Sequence, residues 1–375
     1  MINVLADQYL YNIQSYLPES INLHLFDPAE GLPSQVKQAH AILIRTVIPI
    51  NKQTLPNIPK DLTFIGTGSS GTDHVDSQYL ADHNIHFADA AGCNARSVAE
   101  YIATALLLWS EKRNRDLTSL SVGMIGVGHV GTKVVDILKR LGLQTVLYDP
   151  PRTQHDPNFT TESLDEVLSC NILSFHTPLY KESEYPTYHW LDQSKLESRT
   201  FDLIINTARG GVVDENAVLA AMKKGTVRDM IIDTWEDEPK IHLDSFGATF
   251  LKSPHIAGYS VQSKQNASKF IADDLIDHFD LEQPQIETNN QKVIFDKNSD
   301  EFTSLSSLLT ELHPIKKYEQ QLTEIIQNSP EKRGKLFNKL RAEFPLRQQF
   351  AQTHLPKNYF QQFPILKELG FSEIS

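Results

Sequence analysis

The chain has 375 residues, enough for two or three domains. Hydrophobic residues make up 40% and charged residues 22%, and 17 glycines with 19 prolines are too few for a collagen-like or low-complexity chain. The net charge of −12 repels phosphate backbones and anionic bilayers, so neither a nucleic-acid partner nor a membrane surface is expected.

In chain order, the N-terminus lacks the basic start and long apolar run of a signal peptide. Apolar runs at Ile2–Ala6, Leu23–Phe26, Ala41–Arg45, Leu62–Gly66 and Ile85–Ala88 read as strands with turn-rich or amphipathic stretches between them. That alternation predicts a parallel sheet with crossovers. A helical pattern over Arg96–Asn114 follows, suited to a connector between domains or to a buried core helix. Its apolar stretch, Tyr101–Trp109, is too short to span a bilayer. A second alternating series has strands at Ser121–Ile125, Gln144–Tyr148, Ile172–Phe175, Leu203–Asn206, Met230–Asp233 and Thr249–Leu251. Its helices read as Val130–Leu141 and Glu215–Lys224, the latter stopped by Gly225. After Gln283 the texture becomes polar and loop-rich around a short strand, Val293–Phe295, with helices at Ile315–Gln327 and Glu331–Glu343. Residues 286–375 therefore read as a third unit that packs on a second copy of the chain. The two cysteines, Cys93 and Cys170, form no disulfide framework and lack metal-ligand spacing, which predicts a reducing, cytoplasmic setting and no metal centre.

The segment Gly126-Val127-Gly128-His129-Val130-Gly131 matches G-x-G-x-x-G between a strand and a helix, and Asp149 ends the following strand. Gly126 permits the tight turn, Gly128 lets a pyrophosphate approach the backbone, and Gly131 lets helix and strand pack closely. The helix start supplies free N–H groups and partial positive charge. Asp149 would bind the ribose hydroxyls and repel a 2′-phosphate, favouring NAD; Arg152 nearby leaves NADP open.

Three further polar residues follow strand ends: Arg209 in Asn206-Thr-Ala-Arg-Gly, Glu238 before Pro239, and His255 in Pro254-His-Ile-Ala-Gly-Tyr259. Hydride transfer from a secondary alcohol needs a base of near-neutral pKa, a carboxylate to orient it and a fixed cation for the substrate carboxylate. His255, Glu238 and Arg209 fill those roles. Each alone reads more readily as a loop histidine, a cap and a surface charge; together behind a dinucleotide site they point to catalysis.

With these motifs go His176-Thr-Pro-Leu179, Asp233-Thr-Trp-Glu-Asp-Glu238-Pro239 and His255-Ile-Ala257. The chain thereby resembles the NAD-dependent D-2-hydroxyacid dehydrogenases over essentially its first 285 residues. Narrower pointers, Gly66–Asp76, Gly92–Tyr101, Tyr148-Asp-Pro-Pro151, His313-Pro-Ile315 and Phe337–Phe350, place it in a branch acting on a small phosphorylated 2-hydroxy acid. The resemblance implies an α/β protein with two doubly wound, Rossmann-like parallel-sheet domains and a small α+β C-terminal dimerisation domain. The implied bounds are 1–95 with 256–285 for substrate, 96–255 for NAD, and 286–375 for a homodimer contact. It also implies substrate contacts at Thr46, Ser69 and Tyr259, and NAD contacts at Thr177, Thr207, Ala208, Arg209, Asp233 and Gly258. Position 69 carries Ser where the family usually has Thr, keeping the hydroxyl. From the residues alone, Ser69-Ser70-Gly71 reads as an anion-cradling turn or as an ordinary turn before a helix capped by Asp73. His74, Asp76 and His176 read as structural. Arg45 is a candidate for the substrate's phosphate, and Arg347 reads as a surface charge or, from a partner subunit, a second candidate. A sibling dehydrogenase for 3-phosphoglycerate or glycerate, and a non-catalytic NAD-sensing protein of the same fold, remain the alternatives.

Overall fold

A computed structural model describes residues 1–197, 199–285 and 292–374. The chain divides into two compact units, Met1–Asn94 with Ser260–Gln291, and Ala95–Tyr259 with Lys292–Ser375. Pro284 and Gln285 fall in the first; 286–291, part of the expected third unit, lie outside the described residues.

The first unit is built on a parallel sheet of β1 (Ile2–Asp7), β2 (Ile21–Phe26), β3 (Ala41–Ile44), β4 (Phe64–Thr67) and β5 (His86–Asp89), in the order β2-β1-β3-β4-β5. β3 and β4 are buried along their whole length, which is why they read as unbroken apolar runs. The strand order reverses between β1 and β3, where Asp7, Arg45 and Thr46 stand at the carboxyl ends. Helix α1 (Ser77–Asp82) is capped by Asp76, which accepts from Tyr79 N–H; the expected cap, Asp73, lies three residues too early. The returning segment forms a long helix, Val261–His278, whose Ala267, Ile271 and Leu275 pack with Val4, Leu43 and Phe64. Its polar opening turns, Gln262 to Asn266, hid that helix from periodicity.

In the second unit, α2 (Ala95–Arg113) is buried along nearly all of Val98–Leu106, so it is a core helix of this unit. The sheet is again parallel: β6 (Ser121–Ile125), β7 (Gln144–Tyr148), β8 (Ile172–Phe175), β9 (Phe201–Asn206), β10 (Val227–Ile232) and β11 (Leu251–Lys252), ordered β11-β10-β9-β8-β6-β7. Helix α3 (His129–Arg140) follows β6, and the order reverses between β6 and β8.

The tail has the expected α+β texture, with helices Leu305–Leu312, Ile315–Ile326 and Pro330–Ala342 and a three-stranded parallel sheet of Val293–Ile294, Thr353–Leu355 and Ser372–Glu373. It is not a separate third unit. Phe302, Leu308, Ile315, Tyr318, Phe344 and Phe350 join the core around α2, and Leu322 and Phe337 join that of Trp235. Each such buried side chain contributes about 1.5–3 kcal/mol. A polar anchor fixes the register. The buried Glu100 carboxylate accepts from Arg347 Nη1 at 2.6 Å, Phe350 N–H at 3.0 Å and Arg96 Nε at 2.9 Å. Arg347 is therefore no surface charge: at 8% exposure it is a buried ion-paired residue, and a charge this buried is stable only when paired.

Candidate active site

The glycine turn sits where the second sheet reverses its strand order. Gly126 has φ +87°, and a Cβ there would lie 2.9 Å from the His176 carbonyl. A Cβ on Gly131 would stand 2.2 Å from the Gly126 carbonyl oxygen. Gly128 differs: no atom lies within 4 Å of its missing Cβ, and it caps α3 with His129 exposed and Val130 half-buried behind it. Two glycines thus close the turn and the third leaves an open cradle against free helix N–H groups.

The ends of β6, β7 and β8 line a cavity of about 390 Å³, with Gly126, Gly128, Tyr148, Asp149, His176, Thr177, Tyr185 and Trp190 in its wall. Asp149 is aimed by two amides: Oδ2 accepts from Val127 N–H at 2.7 Å and Oδ1 from Arg152 N–H at 3.2 Å. The Arg152 guanidinium donates to the Val127 carbonyl at 2.5 Å and to Asp156 at 2.8 Å, and lies over the Phe159 ring at 4.3 Å. Those bonds engage Arg152 with protein groups. His176 bonds Ser174 Oγ through Nε2 at 2.9 Å, and burial pushes its pKa down to about 3, so it stays neutral and serves as wall. The hydroxyls of Thr177 and Thr207 are buried with no hydrogen-bond partner among the described residues. The orphaned Thr177 hydroxyl, in the wall of the cavity beside the glycine cradle, fits a dinucleotide that supplies the acceptor.

Arg209, Glu238 and His255 all belong to this unit, each in a loop that follows a strand of its sheet. Asn206 ends β9 and folds the next loop back, its amide nitrogen donating to the Arg209 carbonyl at 2.9 Å and its oxygen accepting from Ala208 N–H at 3.1 Å. Gly210 is required there, because a Cβ would lie 1.8 Å from the Trp235 carbonyl oxygen. The Arg209 guanidinium donates from Nη1 to the Ala208 carbonyl at 2.8 Å.

His255 Nδ1 donates to Glu238 Oε1 at 2.5 Å, and Glu238 Oε2 accepts from Trp235 N–H at 3.3 Å. This fixes the ring's tautomer and leaves Nε2 to receive a proton. Burial drives the Glu238 carboxyl upward, but the His255 charge and hydrogen bond, with help from the Arg341 guanidinium, outweigh it, and its pKa falls below the ordinary glutamate range. His255 also has φ +58°, in the left-handed region that side chains seldom occupy. Such strain persists where the surroundings hold it, and they do: His255 N–H donates to the Asp233 carbonyl at 2.8 Å.

Asp233, expected as an NAD contact, is 1% exposed and works as a clamp. Its carboxylate accepts from Ser253 Oγ at 2.5 Å, Ile256 N–H at 2.8 Å and Ala257 N–H at 2.9 Å. Ser253 Oγ is in turn bonded to the Tyr101 hydroxyl of α2 at 2.7 Å. This clamp shapes the turn carrying His255 and Gly258; no motif or spacing pointed to Ser253, and Tyr101 stood only as the end of the Gly92–Tyr101 segment, without a role. Tyr259 comes next, edge-on to Phe344 of the tail at 5.7 Å.

In the first unit, Arg45 Nε bonds the buried Asp7 carboxylate at 2.8 Å and lies over the Tyr9 ring at 5.0 Å. Thr46 is exposed and Ser69 half-buried; the Ser69 carbonyl accepts from Ala90 N–H at 3.2 Å. His74 bonds Thr67 Oγ1 at 2.9 Å, in keeping with its structural reading.

A parallel sheet with a glycine cradle, an acidic residue ending the next strand and a carboxylate-backed histidine defines a dehydrogenase that uses NAD. The family model described as the D-isomer specific 2-hydroxyacid dehydrogenase NAD binding domain matches residues 95–257. Among solved structures, the D-lactate dehydrogenase of Aquifex aeolicus, complexed with NAD and lactic acid, aligns with a TM-score of 0.59 at 22% identity. It covers 74% of this chain and 95% of its own, so about a quarter of this chain lies outside the shared fold. Two curated relatives reach further. The erythronate-4-phosphate dehydrogenase of Marinobacter nauticus is 33% identical over 92% of both chains, and that of Bacteroides thetaiotaomicron is 36% identical over 84% of this chain and 87% of its own. The chain belongs to the erythronate-4-phosphate dehydrogenase family. None of its described helices is long and apolar enough to cross a membrane, and no cluster of potential metal ligands exists among the described residues.

Proposed function

We propose that this chain oxidises 4-phospho-D-erythronate at C2 to (R)-3-hydroxy-2-oxo-4-phosphooxybutanoate, a step in making pyridoxal 5′-phosphate (vitamin B6). The observation that carries the reading is the 2.5 Å contact between His255 Nδ1 and Glu238 Oε1 in a unit that also holds the dinucleotide cradle. Bound NAD⁺ supplies the hydride acceptor. His255 Nε2 takes the C2 hydroxyl proton, and Glu238 stabilises the imidazolium that forms. Arg209 clamps the substrate carboxylate and polarises the reacting oxygen. Thr46, Ser69, Tyr259 and Arg45 contact the substrate. Gly126, Gly128, His129, Val130, Gly131, Asp149, Thr177, Thr207, Ala208 and Gly258 hold NAD, with Asp233 shaping the turn that carries Gly258.

The protein works as a cytoplasmic homodimer joined through the tail. Support comes from the tail's short edge strand, Val293–Ile294, which exposes 41% and 63% of two apolar residues. Ile294→Asp should shift the dimer to monomer in light scattering, and an unchanged mass would overturn that contact.

The activity is tested by following NADH with a panel of 2-hydroxy acids, with and without a 4-phosphate. Turnover is expected with 4-phosphoerythronate foremost. Preference for 3-phosphoglycerate or glycerate would move the chain to a sibling activity, and NAD binding without any turnover would make it a sensor.

A further inference from the structure

The substrate's phosphate is a dianion, and a protein with a net charge of −12 must offer it a local cation. Of the two arginines the sequence offered, Arg45 is paired with Asp7 and Arg347 with Glu100. The structure puts a third on the helix that packs against the loop carrying Glu238. That helix is Pro330–Ala342 of the tail: a Cβ on Gly334 would touch the Pro239 ring at 3.4 Å, and Phe337 shares a core with Trp235. Arg341 stands one turn beyond Phe337 on that helix, its guanidinium 5.9 Å from the Phe337 ring.

Arg341 and Arg347 both bury an unbonded Nε, but Arg347 is held through Nη1 and Nη2 by Glu100 and the Ser97 carbonyl. No carboxylate forms an ion pair with Arg341 among the described residues. Its charge nevertheless reaches Glu238, where it helps hold the carboxyl ionised. Glu238 does not satisfy it: its oxygens accept from His255 and from Trp235 N–H, and no hydrogen bond joins it to Arg341 among the described residues. Arg341 is half-buried with that Nε–H unbonded, and an unbonded buried N–H is costly, so a donor in this position beside the Glu238 loop suits an acceptor that arrives with the substrate. A phosphate monoester suits it, since a guanidinium fork matches phosphate oxygens in geometry and charge.

We propose that Arg341 binds the phosphate of the substrate, so that the tail helix selects a phosphorylated 2-hydroxy acid over its unphosphorylated analogue. This rests on the proposed substrate. The phosphate is remote from the reacting carbon, so Arg341 acts mainly on binding and only secondarily on the chemical step.

The test compares kcat/KM for 4-phosphoerythronate and for erythronate in the wild type, in Arg341→Gln and in Arg341→Met, whose stem keeps the packing on Phe337. Thermal transitions and NAD affinity confirm that the variants fold. The ratio of the two kcat/KM values is expected to fall by roughly 10- to 100-fold in both variants, the worth of a charge-assisted hydrogen bond. That fall should come chiefly from KM, with part of it restored in Arg341→Lys. Equal losses on both substrates would mean that Arg341 acts through Glu238, and would overturn the proposal while leaving the substrate reading intact. An unchanged ratio would overturn it likewise. A wild type without preference for the phosphorylated acid would instead overturn the substrate reading, and this inference with it.

Discussion

Both parallel sheets end a central strand in a glycine-rich turn, and the two turns do different work. After β6, Gly126–Gly131 passes directly into α3, so unbonded helix N–H groups face the cavity. After β4, Gly68-Ser69-Ser70-Gly71 runs through bends, and no helix begins until Ser77. Only the first of these turns has a helix terminus to offer an anion. The first unit instead presents hydroxyls and an arginine already tied to Asp7, whereas the second carries His255 and the Glu238 carboxylate bonded to it. Glycine content alone does not mark a phosphate site; a helix starting directly from the turn does.

If the chemistry resides wholly in the second unit, the largest effect comes from removing its base. His255→Asn, a residue that tolerates the left-handed backbone, should lower kcat by roughly 10²- to 10⁴-fold. Thr46→Val in the first unit removes one neutral contact and should raise KM by only about 2- to 10-fold. Steady-state NADH formation measures both. A comparable kcat loss in the two variants would break the contrast.

The turns themselves can be set against each other. Alanine at 131 meets the backbone oxygen of Gly126 at 2.2 Å, a wall that moves only by opening the turn. The cost should be about 3 kcal/mol, with loss of NAD binding. Alanine at 68 meets the Cδ2 of Leu10 at 2.5 Å, the far end of a side chain that can rotate away. That change should cost about 1 kcal/mol or less and leave NAD affinity alone. Urea unfolding and a tryptophan-fluorescence titration with NAD read both quantities.

Much of this contrast was legible in the sequence. Local signals fix local structure: Ser121–Ile125 and Glu215–Lys224 have the bounds their patterns predict, because strand composition and a Gly225 stop act over a few residues. Arg209, Glu238 and His255 were recognisable because loops after parallel strands gather at one sheet edge. Pairings across the chain were not. Glu100 meets Arg347 at a separation of 247 residues, and Tyr101 reaches Ser253 across 152; no periodicity or motif encodes such partners. The tail reads as a third unit packing on a second copy for the same reason: nothing in its sequence names α2 as the surface that its aromatic residues cover. Arg341 lies inside the Phe337–Phe350 segment but drew no role of its own, because an unpaired arginine and a paired one look alike in a sequence.

The smallest expected effect separates the units by acid sensitivity. In the second unit, burial holds the pKa of His176 down to about 3, and burial together with the Arg347 charge holds that of His313 well below its ordinary value. Both are neutral when folded, whereas the unfolded chain binds their protons near pH 6.5. Between that value and the folded pKa, the unfolded state holds more protons, so stability falls as pH falls through the window and is fully present above it. At pH 5 each histidine should cost up to about 2 kcal/mol. In the first unit, burial and the His86 charge also lower the pKa of His278, but that residue is exposed and its share is screened. Urea midpoints at pH 7.5 and pH 5 should therefore lie closer together in His313→Gln than in the wild type. An equal gap in both proteins would show that His313 takes up its proton without unfolding, and that the second unit's core admits charge where its packing says it should not.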